Sequence, residues 1–242
     1  MYRYIGFACI ALLFITCGIG LLKTGRWSVA AMPLNNIKKN TVQTNIEKYP
    51  VHRNITSTVF WVGEDATEHN AYISNSPSSW DEYWVKHFGG VDTPEKRNGY
   101  FPAGFRPKEN PFYIALPYND FREDSRKANA AAIIPWAKTK VWAARESMCK
   151  NQWVKITRGK KTVYAQWEDS GPFLENDAQY VFGNGQPRSA INNHAGIDVS
   201  PAISDYLGLT GINKVDWQFI DAQDVPDGPW KEIVTTSQIF WK

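Results

Sequence analysis

Three aspartates in this chain stand where predicted strands or loops end, positions that often carry binding and catalytic groups. Asp169 closes the stretch "TVYAQWED", beside Glu168 and just before a Ser-Gly-Pro turn. Asp198 lies in "GIDVSPAISDYLGL", two residues before Ser200, and Asp120 ends "FYIALPYND". A carboxyl group held in a fixed place can donate or accept a proton during bond cleavage. We therefore treat these three aspartates as candidate catalytic residues.

The strand that leads to Asp169 suggests what such an acid could act on. Strict alternation places Val163, Ala165, Trp167 and Asp169 on one face and Tyr164, Gln166 and Glu168 on the other. An indole two positions before a carboxyl on the same face suits a sugar-binding groove, because the ring stacks on a pyranose while the acid reaches the glycosidic oxygen. In the alternative interpretation, Trp167 is a core residue and Asp169 a turn residue. The pattern leaves both open.

Short strands joined by loops must position these residues. The sequence predicts a strand ending at Gly63, another over 112–117, a hairpin over 153–169, and strands over 178–183 and 215–222. Residues 65–111 have no sustained period and predict a long loop region with a short helix at 79–87, while 126–134 predicts a second helix. Such a pattern favours a small β-barrel or α+β domain over a doubly wound sheet.

One helix is specified in detail, directly after Asp198. Ser200 is a suitable N-cap, Pro201 occupies the first helical position, and Gly208 ends the helix. Asp198 is therefore expected where a strand or loop passes into a helix start. A plain role for Asp198 in capping stays open.

The N-terminal region predicts export. Residues 5–22 carry no charge, which is longer than a typical signal-peptide core and slightly shorter than a spanning helix. We expect a signal peptide or membrane anchor over 1–31, a polar tether over 32–56, and a body outside the cytoplasm. Lys23 and Arg26 follow the apolar run and would favour the opposite orientation if the segment stayed uncleaved.

Composition excludes several classes of protein. The formal net charge is +3, but six basic residues and one acidic residue lie within residues 1–50, so the rest of the chain carries −2. This balance gives no electrostatic footprint for nucleic acid. Cys149 is the one cysteine after residue 17, and the four histidines lack ligand spacing, so we predict no zinc site and no cofactor.

Several segments, taken in order, resemble the rare lipoprotein A family. "STVFWVG", "FYIALPYND", "TVYAQWEDSGPF", "AGIDVSPAISDYLGL" and "VDWQFID" are similar to the strands and the helix of that family's double-psi β-barrel. Related barrels occur in expansins and in membrane-bound lytic transglycosylases of the A type. The resemblance implies a mainly β fold, a six-stranded double-psi β-barrel over 57–242 with one or two short helices and long insertions at 64–111 and 121–152.

The resemblance also implies roles for particular residues. Asp198 matches the aspartate of the family's Ile-Asp-Leu-Ser segment, which is the acid in the transglycosylases, and Asp169 matches the aspartate of Asn-Asp-Arg-Gly-Pro-Phe, which lines the same groove. Asp120 is a third candidate. The family's arginines are replaced by Ser170 and by Ala195-Gly196. The candidate substrate-binding residues are Trp167, Tyr118, Glu168 and His194.

Three functions follow as expectations. The first is a cell-envelope protein that cleaves peptidoglycan or a related polysaccharide, as a lytic transglycosylase or a glycoside hydrolase, with Asp198 as general acid. The second is an expansin-like module that binds or loosens glycan without turnover. The third is a structural envelope protein whose groove is inactive. The expected partners are a polysaccharide and, through an uncleaved N-terminal segment, the membrane.

Overall fold

A closed barrel of six strands forms the centre of the computed structural model, which describes residues 48–240. The strands are β1 (His52–Val59), β2 (Tyr113–Leu116), β3 (Trp153–Arg158), β4 (Lys161–Ser170), β5 (Ala195–Val199) and β6 (Asn213–Ile220). They follow one another around the barrel as β1, β6, β3, β4, β2 and β5. The pairs β1/β5 and β2/β4 are parallel and the other four are antiparallel. The prediction of a mainly β fold with a six-stranded barrel is confirmed.

The interior of the barrel is filled by β-branched and aromatic side chains from every strand. Fully buried examples are Ile114, Val154, Ile156, Val163, Ala165, Trp167, Ile197 and Val199. The predicted hairpin is confirmed, because β3 and β4 pair from Trp153↔Gln166 to Arg158↔Lys161 around Gly159, whose φ is 59°. Such a small barrel has no free lumen, so any binding site must lie at its ends or among its insertions.

Four short helices accompany the barrel in the described part of the chain: α1 (Trp84–Phe88), α2 (Ala130–Ile133), α3 (Ala178–Val181) and α4 (Pro201–Leu207). The predicted design of α4 is confirmed, since the Ser200 side chain accepts a hydrogen bond from Ile203 N and Gly208 closes the helix at a φ of 68°. This cap fixes the end of β5 and with it the backbone around Asp198.

The strand predicted over 178–183 is wrong, because these residues form the single-turn helix α3. Tyr180 decides the outcome. Its ring is buried, and its hydroxyl donates to Gly196 O at 3.0 Å and accepts from Trp217 Nε1 at 2.8 Å. Tertiary burial of one aromatic residue thus overrides the local preference of a β-branched and aromatic run.

The barrel also begins earlier than the predicted tether allows, because β1 starts at His52 rather than after residue 56. The imidazole of His52 is buried and stacks on Trp217, with ring centroids 4.0 Å apart. Burial lowers the pKa of His52 to about 4, so the ring is neutral near pH 7. The polar residues between 52 and 56 misled the prediction because β1 exposes two neighbouring side chains, Arg53 and Asn54, before its buried stretch begins at Ile55.

Helix α1 of the insertion at 64–111 packs in a second, smaller hydrophobic cluster with residues of β2 and of the segment after β1. Phe60, Val62, Trp84, Phe88 and Tyr113 pack together on the outside of the barrel. Two-residue strands form ribbons in both insertions, Arg97–Asn98 with Phe101–Pro102 and Phe121–Arg122 with Ser125–Arg126.

Within residues 48–240, no helix has the length and apolar character needed to cross a membrane. The predicted signal peptide or anchor over 1–31 lies outside the described residues.

Candidate functional site

A cavity of about 510 Å³ opens where β1, β2, β4 and β5 end. Three acidic side chains line it, Asp169, Asp198 and Glu64. Two of these are sequence-predicted catalytic residues, and the third comes from the insertion that follows β1. The cavity therefore concentrates carboxyl groups, which is the feature required of an acid–base site.

The strand order explains why Asp169 and Asp198 meet. Ala115 on β2 pairs with Asp169 on β4 and, on its other side, with Asp198 on β5. Neighbouring strands are about 4.8 Å apart, so the two aspartate Cα atoms are separated by about 10 Å. Gly171 keeps the space between them open, since a Cβ there would lie 3.5 Å from Asp198 Oδ2. The Ser-Gly-Pro turn is thus a wall of the cavity.

A register shift aims Asp169 into this cavity. Between the pairs Ile114↔Trp167 and Ala115↔Asp169, β4 advances two residues while β2 advances one. Such a bulge breaks the strict alternation of side chains. Trp167 and Asp169 therefore do not share a face, although the sequence pattern predicts that they do.

Trp167 needs correction as a predicted substrate-binding residue. Its indole is fully buried and packs edge-on against Trp80, with centroids 5.7 Å apart, and against Phe182 and Phe219. Its Nε1 donates to Asp169 O at 2.7 Å. Trp167 is a core residue that supports the backbone of Asp169, and its ring does not line the cavity.

Asp198 is the carboxyl with the most perturbed protonation among the cavity residues. Burial raises its pKa to about 7, and the negative charges of Glu64 and Asp169 act in the same direction. The Thr58 hydroxyl donates a hydrogen bond to Oδ1 and opposes the rise. The side chain is nevertheless partly exposed to the cavity. A proton donor for reactions near neutral pH needs this combination of access and raised pKa.

Asp169 is held more rigidly than Asp198. Its Oδ1 accepts hydrogen bonds from the backbone N–H groups of Ser79, at 2.7 Å, and Ser170, at 2.8 Å. Burial raises its pKa to about 6, and these donors oppose the rise. Near pH 7 the anion is therefore the main form of Asp169, while Asp198 is still partly protonated. Two neighbouring carboxyls with unequal pKa values can divide the roles of base and acid.

Glu64 reaches the cavity through a tight turn that ends β1. Glu64 N donates to Trp61 O at 3.0 Å, and Gly63 between them has a φ of 80°, a conformation that glycine tolerates best. Oε2 of Glu64 accepts from Asn75 Nδ2 at 2.7 Å. Burial raises the pKa of Glu64, opposed by this amide. Sequence reasoning missed Glu64, although the glycine directly before it was a usable turn signal.

Apolar side chains form the remaining walls of the cavity. Trp61, Phe173, Ile73 and Ile212 all line it, and the two isoleucines are each close to half exposed. Phe173 has a φ of 58°, a left-handed backbone conformation that is costly for an aromatic residue and is found mostly at functional sites. The partly exposed rings of Trp61 and Phe173 lie in the same cavity as the carboxyls and can provide the stacking surface that the sequence pattern assigned to Trp167.

Asp120 and Tyr118 lie away from the cavity. Asp120 is fully buried and accepts hydrogen bonds from Ser147 Oγ at 2.6 Å and Met148 N at 2.7 Å. It thereby anchors the end of the second insertion. Tyr118 is buried against Phe182, with centroids 5.0 Å apart. Both residues are buried in the fold and neither lines the cavity that holds Asp169 and Asp198.

Glu168 and His194 are also separated from the acidic cavity. Glu168 does not line it, is buried, and forms an ion pair with buried Lys150. His194 is exposed and lines a neighbouring cavity of about 400 Å³. Of the seven predicted site residues, the structure brings only Asp198 and Asp169 together. No group of three or more His, Cys, Asp or Glu side chains within residues 48–240 is arranged to hold a metal ion.

The fold and cavity define a six-stranded mixed β-barrel with an acidic, aromatic-walled site at one end. No protein-family model matches the chain. No curated protein shows significant similarity to it.

Replacing Trp167 with Ala tests its position in the core. We expect the free energy of unfolding to fall by about 3–5 kcal/mol, the usual cost of removing a fully buried aromatic side chain. Urea denaturation measures this loss. Trp142→Ala is the control, because Trp142 is only partly buried and its Nε1 donates to Ala137 O at 2.9 Å. Equal losses in both variants would contradict the placement.

Proposed function

We propose that this protein cleaves a cell-envelope glycan, peptidoglycan or a related polysaccharide, with Asp198 as general acid. One observation carries the proposal: a partly exposed carboxyl with a pKa of about 7 shares a cavity with a second carboxyl whose pKa is about 6. Protonated Asp198 donates to the glycosidic oxygen as the bond to the sugar ring breaks. The donor must be protonated, so activity falls as pH rises through about 7.

Two reaction types use this acid. In an inverting hydrolase, the Asp169 anion accepts a proton from water, and a carboxyl separation of roughly 6.5–9.5 Å leaves space for that water. The Cα spacing of about 10 Å across Ala115 is compatible with that range. In a lytic transglycosylase, a hydroxyl of the substrate itself attacks in place of water. The resemblance to the A-type transglycosylases favours the second type.

The architecture of the barrel supports the proposal. A closed six-stranded barrel is what the resemblance to rare lipoprotein A-like double-psi barrels leads one to expect. Two of the five segments that carry the resemblance contain Asp169 and Asp198, and both aspartates line one cavity. We include membership of that family, and export of the barrel from the cytoplasm, in the proposal.

Digestion of purified peptidoglycan by the full-length protein tests the proposal. Soluble fragments are separated by chromatography and weighed by mass spectrometry. A terminal sugar closed by an intramolecular anhydro bond identifies a transglycosylase, and a free reducing end identifies a hydrolase. No release of fragments from peptidoglycan or other wall glycans would reject the catalytic proposal.

A binding module without turnover is the second candidate. The hydrogen bonds of Asp169 favour this candidate. Its Oδ1 accepts from the backbone N–H groups of Ser79 and Ser170, as is expected of a carboxyl with a structural role. An expansin-like protein of this kind retains glycan binding while releasing no product. A structural protein with an inactive groove shows neither, so pull-down and digestion together separate the three functions.

Trp61→Ala tests the stacking surface of the cavity. We expect glycan pull-down to weaken by about 1–3 kcal/mol, the scale for an aromatic contact at a binding site, with little change in stability because Trp61 is partly exposed. Trp142→Ala is the matched control, since its indole is also partly exposed and does not line the cavity. Unchanged binding by Trp61→Ala would remove Trp61 from the site.

A further inference from the structure

A second cavity, of about 400 Å³, adjoins the acidic one. The two share the turn at residues 191–194: Asn192 lines the acidic cavity, and Asn193 and His194 line the second. They also share strand β1, because Thr58 lines the first cavity and Thr56 the second. The second cavity therefore lies next to the first along β1.

The shared turn has an uncommon backbone. Asn192, Asn193 and His194 all have left-handed φ angles, of 48°, 56° and 57°. Thr56 Oγ1 holds the turn by donating to Asn193 O at 2.7 Å. Asparagine and histidine tolerate left-handed conformations better than most other residues, so these three residues suit a tight turn at the edge of the second cavity.

The two cavities differ in charge. Three carboxyls line the first, whereas the charged side chain lining the second is that of Lys214. Lys214 is exposed, and its Nζ donates to Thr56 Oγ1 at 2.6 Å. Within residues 48–240, none of the ion pairs includes Lys214. The amides of Asn54, Gln186 and Asn193 are further polar groups at this cavity. Its chemistry suits an anion with several hydrogen-bond acceptors.

We propose that the cavity around Lys214 binds a carboxylate carried by the glycan, so that the substrate is an acidic polysaccharide. The inference rests on the proposed function. Thr58, which donates to Asp198, and Thr56, which accepts from Lys214, are two residues apart on β1, or about 7 Å. An extended glycan lying over Asp198 therefore reaches Lys214 with a neighbouring sugar, and this contact fixes which glycosidic bond faces the acid.

Binding to glycan strands stripped of their peptides tests the subsite. One sample keeps its free carboxylates, and in the other they are amidated with methylamine, which removes the charge. All proteins carry Asp198→Asn so that the ligand stays intact. We expect about tenfold tighter binding of the charged strands, the scale of one charge-assisted hydrogen bond, and a smaller preference at high salt.

Variants of Lys214 decide the assignment. Lys214→Met should remove the preference for charged strands, and Lys214→Arg should keep it. Lys160→Met, at the exposed turn between β3 and β4, is the control and should behave as the parent does. A preference that persists in Lys214→Met, or that is missing in the parent, would overturn the subsite.

A parallel digestion with Asp198 intact separates this inference from the proposed function. Cleavage without a preference for charged strands refutes the subsite and leaves the catalytic proposal standing. A Lys214-dependent preference without cleavage supports the subsite and rejects catalysis.

Discussion

Asp198→Asn is expected to abolish glycan cleavage and, at the same time, to stabilise the folded protein above pH 7. The substitution keeps the shape of the side chain, and its amide oxygen can still accept the Thr58 hydroxyl. It removes the transferable proton, so the general acid is lost. It also removes a carboxyl that burial forces to remain protonated up to a pH of about 7.

The sign of the stability effect follows from the shift of the Asp198 pKa. The ordinary value is 3.8 and the folded value is about 7, so the folded protein binds the proton more tightly than the unfolded chain does. The free energy of unfolding therefore falls as pH rises from about 4 to about 7. The loss at pH 8 is about 1–3 kcal/mol once solvent screening at this partly exposed side chain is allowed for.

Urea denaturation of the wild type and of Asp198→Asn at pH 5 and pH 8 measures this loss of stability. The difference between Asp198→Asn and wild type should be larger at pH 8 than at pH 5. Asp124→Asn is the control, because Asp124 is exposed in a ribbon turn of the second insertion. If Asp198→Asn cleaves glycan at the wild-type rate, the acid is another residue, with Asp169 first. An equal stability difference at both pH values would contradict a protonated Asp198.

Features fixed by neighbours in the sequence could be predicted. The cap, the first-turn proline and the terminal glycine of α4 act within one helical turn, and the predicted helix is confirmed. The hairpin of β3 and β4 depends on a turn at Gly159, which is also local. The order of the elements predicted only a small β-barrel or α+β domain, and the resemblance of several segments to a known family led to the six-stranded barrel and supported Asp169 and Asp198 as site residues.

Features fixed by distant contacts could not be predicted. The bulge that separates Trp167 from Asp169 is defined by pairing with β2, about fifty residues earlier in the chain. The same holds for α3, which forms because Tyr180 is buried against β5 and β6. A period-two pattern contains none of this information.

Breaking the ion pair between Lys150 and Glu168 is expected to have a large effect on the free energy of unfolding. Both side chains are almost wholly buried. Burial raises the pKa of Glu168 to about 7, with Lys150 opposing the rise and Glu109 adding to it. Removing one partner of a buried pair leaves an uncompensated charge, whereas replacing both by apolar residues removes the cost of burying either.

Lys150→Met and Glu168→Leu should therefore each lower the free energy of unfolding by about 3–5 kcal/mol, and the double variant should recover most of that loss. The cost of Lys150→Met should be smaller at pH 5 than at pH 8, because Glu168 can then take up a proton and become neutral. The pair formed by Lys140 and Glu146, whose Lys140 side chain is 51% exposed, is the control.

A double-mutant cycle by urea denaturation at both pH values measures the coupling between Lys150 and Glu168. Lys140→Met should cost no more than about 1 kcal/mol, as is usual for exposed pairs. If Lys150→Met lowered the free energy of unfolding by no more than Lys140→Met does, the pair would not be a buried, coupled unit. The same would follow if the losses of the two single variants added up in the double variant. Because Glu168 directly precedes Asp169 on β4, coupled behaviour would also show that a buried ion pair anchors this strand beside Asp169. A double variant that folds stably yet cleaves more slowly would then identify the pair as a support for the position of Asp169.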